Sequence, residues 1–212
     1  MRTKPLLSAL LTVTLAGGTA LATAPAQAAD ARAKAGTTPL TKVLGADGNK
    51  YDRNWDDFDI VEKAVRAVLK AKPDSAVAVL ADGDTRLTAF VPTDRAFRRL
   101  VTSVTGDRPA SEKAAFGAVA SLGVDTVESV LLYHVVPGAT VKYGAARKAD
   151  GARLETAVGK HLRVNVARGI VRLGDADRDA RNARVIKAAR DVNTGNKQVA
   201  HGIDRVLRPI DL

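Results

Sequence analysis

TAFVPTDRAF, residues Thr88–Phe97, joins a strand signal to a helix signal with almost nothing between them. Leu87–Val91 is an apolar run of strand length, and Pro92, which has no N–H to give to a ladder, ends it. Thr93 and Asp94 are both helix-capping residues, and Ala96, Phe97 and Leu100 then share one helical face. The turn between strand and helix is tight. Further along, Gly106–Gly123 contains a cap at Ser111 and a short helix through Val119. Asp125 and Glu128 open another helix in the manner of a capping box, on which Val127, Val130, Leu131 and His134 fall at i, i+3, i+4 and i+7. His134 therefore points at a core. Val135 and Val136 continue as strand, and Pro137-Gly138 turns the chain.

Upstream of Thr88, Asp59 caps a helix, with Glu62 three residues later and an apolar stripe of Ile60, Val61, Ala64, Val65, Val68 and Leu69. Pro73 closes it. Downstream of Tyr143 the period becomes that of strands. His161–Val166 alternates, Ile170–Leu173 and Arg184–Ile186 follow around the acidic loop Gly174–Asn182, and Val199–Leu207 puts Val199, His201, Ile203 and Leu207 on one face. No segment repeats at solenoid spacing, so the pattern is that of one module.

Three of these segments, TAFVPTDRAF, LLYHVVPG at Leu131–Gly138 and HGIDRVLRP at His201–Pro209, together resemble the hallmark segments of the fasciclin domain. The resemblance runs from about Asp57 to Ile210. Val91 stands where the family commonly has alanine, Gly202 replaces its usual valine, and Gly106–Gly123 is longer than the family spacing. The resemblance implies an α+β fold, a wedge of two packed β-sheets with a layer of helices, and a role in extracellular adhesion or ligand binding. It marks Thr93, Asp94, Phe97, Tyr133, His134, Pro137, Gly138, His201, Ile203 and Asp204 as motif positions. Tyr133-His134 is the family's tyrosine–histidine pair, implicated there in adhesion and in fold integrity.

The first residues read as a secretory leader: Arg2 and Lys4 precede an apolar run from Leu6 to Leu21, and Ala26-Gln27-Ala28 is an A-x-A cleavage site. Cleavage there removes 28 of 212 residues and leaves 184, enough for one cored domain. Residues 29–54 are small, polar and rich in breakers, and read as a linker or loosely held arm whose removal should leave the domain, residues 55–212, intact. There is no cysteine, hence no disulfide framework and no thiolate site. No later stretch supplies about 20 apolar residues in succession for a membrane span. Alanine and arginine richness with a simple leader suggests a bacterial chain, exported and either released or held at the cell surface.

The chain carries +10, of which Arg2 and Lys4 account for two, leaving +8. Such a charge favours polyanionic surroundings. The arginines are scattered, however, and aromatics make up only 4% of the sequence, too few for the stacking platforms of a nucleic-acid binder. Of three histidines, His134 and His201 lie on apolar faces and read as buried imidazoles with both ring nitrogens satisfied, while His161 looks outward. The sequence has no H-E-x-x-H pair, no G-x-S-x-G elbow, no S-x-x-K and no phosphate loop. Asp175, Asp177 and Asp179 alternate like the opening of a calcium loop, but Ala180 stands where that loop needs glycine and Ile186 where it needs glutamate. Asp47-Gly48-Asn49 fails similarly, and both read as turns bonded to their own backbone. The expectation is a non-enzymatic module without metal or other cofactor, recognising an extracellular protein or polysaccharide through a conformational surface, since R-G-D and N-x-S/T motifs are absent. Two other readings are a basic structural protein held on anionic wall polymer by charge, and a cryptic hydrolase built around His161.

Overall fold

The computed structural model describes residues 34–48 and 50–210; the leader expected over residues 1–28 lies outside them. Helices and strands follow in the order α1 (Leu40–Leu44), α2 (Asp59–Ala71), a 3-10 turn (Ala76–Ala81), β1 (Leu87–Pro92), α3 (Asp94–Thr105), α4 (Glu112–Ala120), α5 (Val124–Tyr133) and β2 (Val135–Pro137). The second half supplies α6 (Tyr143–Ala146), β3 (Arg153–Glu155), β4 (His161–Ala167), β5 (Ile170–Gly174), β6 (Ala183–Arg184), a second 3-10 turn (Lys187–Ala189) and β7 (Gln198–Ile203).

The strands form two sheets. In the first, β1 lies between an antiparallel β2 and a parallel β7; the second is an antiparallel β3-β4-β5-β6 meander. Every residue of β1 and β7 is buried, because the first sheet is covered on both faces. Leu87, Ala89 and Val91 face the helices, together with Ile60, Val65, Phe97 and Leu131. Phe90 points the other way, into a second core with Leu162, Val164, Leu173 and Ile203. The α+β architecture of packed sheets with a helical layer is therefore as expected, and the central sheet belongs to both cores.

The helix starts differ from the sequence reading in an instructive way. Asp59 does not cap α2; Phe58 holds that position, and the Ile60 N–H donates to Asp94 Oδ1 at 3.0 Å. Asp94, expected to cap its own helix, thus caps another. Gly123 rather than Asp125 precedes α5, and Glu128 accepts from Ser75 Oγ and pairs with Lys72. Ser111 does cap α4, accepting from the Ala114 N–H at 3.1 Å.

Residues 34–48 correct the expectation of a loose arm. Leu40 is fully buried and Leu44 nearly so, both in the helical core. The Leu40 N–H donates to Gln198 Oε1 at 2.8 Å, and Gly36 bridges Asn196 in parallel register. The arm also runs across Gly83, where a Cβ would overlap the Thr37 carbonyl.

Gly202 has a local explanation of the same kind. A Cβ there would overlap the Ala189 methyl and come within 3.3 Å of Phe58 Cζ, so the second 3-10 turn occupies the room a valine would need. Gly202→Val is expected to cost about 1–3 kcal/mol through overpacking. Urea unfolding checks this, and Gly202→Val with native stability would show that the turn yields freely.

Candidate functional site

The two core histidines are each fixed as a single neutral tautomer. The Leu207 N–H donates to His134 Nε2 at 2.9 Å, so Nδ1 carries the proton and donates to the Val130 carbonyl at 2.7 Å. Burial pushes the His134 pKa down to about 4, against a smaller opposing effect of the Val130 hydrogen bond. His201 repeats the device: Nδ1 accepts from the Asp191 N–H at 3.2 Å and Nε2 donates to the Val141 carbonyl at 2.8 Å. Its ring sits beside Phe90 and Tyr143, with centroids 5.9 and 6.3 Å away. Burial lowers its pKa as well. Both imidazoles tie separate pieces of chain together, His134 joining the end of α5 to the C-terminal segment and His201 joining β7 to the loops at 141 and 191.

The other motif positions divide by burial. Thr93, Asp94, Phe97, Tyr133 and Ile203 are buried. The Tyr133 hydroxyl reaches the His161 carbonyl at 3.5 Å, and burial raises its pKa to about 12. Asp204 is half-buried and accepts from the Arg184 N–H at 2.7 Å. Only Pro137 and Gly138 lie exposed, at the turn after β2, where Gly138 takes φ 81°. Tyr133-His134 itself thus offers almost no surface. His161 is exposed, as expected, and no hydrogen bond of its ring to a serine or carboxylate occurs among the described residues.

Behind His134 lies a feature that sequence reading missed. A cleft of about 720 Å³ opens between α3, α5 and the C-terminal segment, walled by Phe97, Val101, Val119, Val130, Leu131 and Leu207, with His134 in its lining. Its rim carries Val104, Leu122 and Ile210, which are 60%, 52% and 54% exposed. These are three of the four large apolar side chains left exposed among the described residues. The volume falls within the range of ligand-binding pockets, about 300–1,000 Å³. Val104 and Leu122 lie on separate segments of the sequence, and only the packing of α3 against α4 and α5 brings them to one mouth.

The acidic loop after β5 behaves as its Asx pattern predicts. Asp175 Oδ1 accepts from the Asp177 N–H, and Asp177 Oδ1 from the N–H groups of Asp179 and Ala180. The remaining Asp177 oxygen takes the Arg208 guanidinium at 2.6 Å, so an arginine fills the place a cation would have.

A profile of the fasciclin domain matches residues 61–209, most of the chain, and the chain belongs to the fasciclin domain family. A solved FAS1 domain pair from the insect cell adhesion molecule fasciclin I aligns with a TM-score of 0.54 at 20% identity, over 80% of this chain and 51% of that one. The chain thus spans about half the length of that structure, and the likeness is one of fold. No match is found among curated proteins. Fold and family together define a fasciclin-type adhesion or binding module. Among the described residues, no single helix is long and apolar enough to cross a membrane.

Proposed function

We propose that this module works outside the cell, after removal of its leader, and binds by taking an apolar segment of a surface or matrix protein into the cleft beside His134. The observation that carries this reading is the cleft itself, with Val104, Leu122 and Ile210 held in water at its rim. Exposed apolar groups gathered at one concave site are what a recognition surface requires, and scattered ones are not. Polysaccharide suits the site less well, because sugars are held by dense polar groups and these walls are mostly aliphatic, with Phe97 among valines and leucines. The leader-like start of the sequence supports export.

Chain recovered from culture medium, beginning at Ala29 by intact mass, can be incubated with wall, matrix and glycan fractions at low and physiological salt. Retention on a protein fraction that survives salt and falls at least tenfold in Leu122→Arg, with unchanged melting, is the expected result. Retention lost on adding salt but indifferent to Leu122→Arg would replace this reading with charge-held attachment to anionic polymer, since exposed charges are screened within about 8 Å at physiological ionic strength.

A further inference from the structure

Three helices of this domain begin with an acid, and the fold points all three at one place. Asp59 opens α2, Asp94 opens α3 and Glu112 opens α4. All three are buried, at 2%, 0% and 2% exposure, and each offers an oxygen within 4.8 Å of the others. Asp59 also gathers with Asp52 and Asp57 at the same spacing, and these two lead outward, Asp57 half-buried and Asp52 exposed.

The buried oxygens are not satisfied from within the protein. Neither oxygen of Asp59 has a hydrogen-bond partner, nor has Glu112 Oε1. The complementary oxygens are held in place: Asp94 Oδ1 accepts from the Ile60 N–H at 3.0 Å, and Glu112 Oε2 from the Arg53 N–H at 3.2 Å. Such a backbone grip orients a ligand without occupying its free oxygen. The helix starts offset part of the charge, about half an elementary charge each, or roughly +1.5 for three, against five carboxylates. Three neighbouring arginines are engaged elsewhere: Arg95 forks onto Asp56, Arg66 pairs with Glu62, and Arg98 lies over the Trp55 ring while donating to the Pro109 carbonyl.

We propose that Asp59, Asp94 and Glu112 bind a divalent cation, calcium by the all-oxygen donor set, with Asp57 and Asp52 continuing the acidic cluster outward from Asp59. Two oxygens on opposite sides of a calcium ion lie about 4.8 Å apart at ordinary Ca–O distances, which the cluster accommodates. The exposed Asp52 end supplies the entry path. The ligands come from three helix starts rather than from a contiguous motif, so no local stretch of sequence announces the site. It is independent of the apolar cleft.

Protons are the competing occupants. Burial, the largest effect, pushes Asp57 and Asp59 up to about 6 and Asp94 up to about 8, and Asp57 and Asp94 lie close enough to share a proton. Groups so raised contribute stability below their unfolded pKa that is lost as pH rises through the folded values, here between about pH 4 and 8. A bound cation reverses that trend by favouring the ionised forms.

The test is thermal melting of the exported chain, stripped with EDTA and dialysed, at pH 5 and pH 8. At pH 8, about 5 mM calcium should raise the midpoint by about 3–8 °C, the shift expected of a weak extracellular-type site. The shift should be smaller at pH 5. Terbium should bind with luminescence sensitised by Trp55, the chain's only tryptophan, and be displaced by calcium. Asp59→Asn should abolish both responses while melting no lower than the parent in EDTA, since it removes a buried charge. Asp52→Asn, altered at the exposed entrance and safe for folding, should weaken affinity severalfold by removing a charge that draws the cation in. No midpoint shift with calcium, magnesium or manganese overturns the proposal, as does a shift matched by potassium chloride of equal ionic strength or retained in both variants.

Discussion

A chain shortened to begin at Trp55 is expected to lose cooperative folding or to melt more than about 10 °C below the chain that begins at Ala29. The deletion empties the seats of Leu40 and Leu44 in the helical core. Truncating even one buried leucine to alanine costs about 2–5 kcal/mol, and a whole domain has only about 5–15 kcal/mol to lose. It also strands Gln198, which is fully buried and receives the Leu40 N–H while its own amide donates to the Val79 and Asp82 carbonyls, each at 2.7 Å. Leaving that oxygen unpaired adds about 1–3 kcal/mol. Circular-dichroism melting decides the matter, with a chain begun at Lys34 as the control that should behave as the parent. Leu40→Ala should reproduce a large part of the loss. A Trp55 chain that melts within a few degrees of the parent would show that the seat of the arm contributes little.

His134→Ala is expected to be strongly destabilising. It leaves the Leu207 N–H without an acceptor in a buried setting and opens a void beside Leu131, for a combined cost of about 2–4 kcal/mol. The change should also carry a pH signature. An imidazole whose pKa is about 4 when folded and about 6.5 when unfolded contributes stability that is complete above pH 6.5 and is lost as pH falls toward 4. The carboxylates near Asp59 act with the opposite sign over the same range, so the quantity to measure is the difference between parent and variant, in which they cancel. That difference should shrink from pH 7 to pH 4. The exposed His161→Ala should show neither effect. A His134→Ala protein that melts like the parent yet no longer binds would make His134 part of the recognition surface.

The elements readable in the sequence are those whose evidence is local. β1 with α3, the Ser111 cap and the burial of His134 each follow from residues within about two turns of one another, because apolar periodicity and capping are short-range physics. The seat of α1 was illegible for the converse reason. A five-residue helix has no period to read, and its anchor, Gln198, lies 158 residues away. The helix caps went wrong in the same direction: spacing shows that Asp94 can cap a helix, but not that it caps α2 instead of its own. The apolar cleft and the carboxylate cluster are both made where helix ends meet, so no single stretch of sequence contains them. The glycine at 202, a departure from the family pattern when read alone, becomes a fit once Ala189 is known to lie against it.

The parallel pairing of β1 with β7 joins Leu87 to Gln198, so the strand at the heart of both cores acquires its second neighbour from a segment more than a hundred residues further along. Until those residues arrive, Phe90 has no His201 beside it, α5 has no Leu207 to tie down, and Leu40 has no glutamine to meet. Closing so long a loop is slow, because its entropy is spent before the contacts that reward it are made. A chain that has not yet presented residues 198–207 therefore lacks the strand that completes both cores, and commitment to the fold waits on that segment.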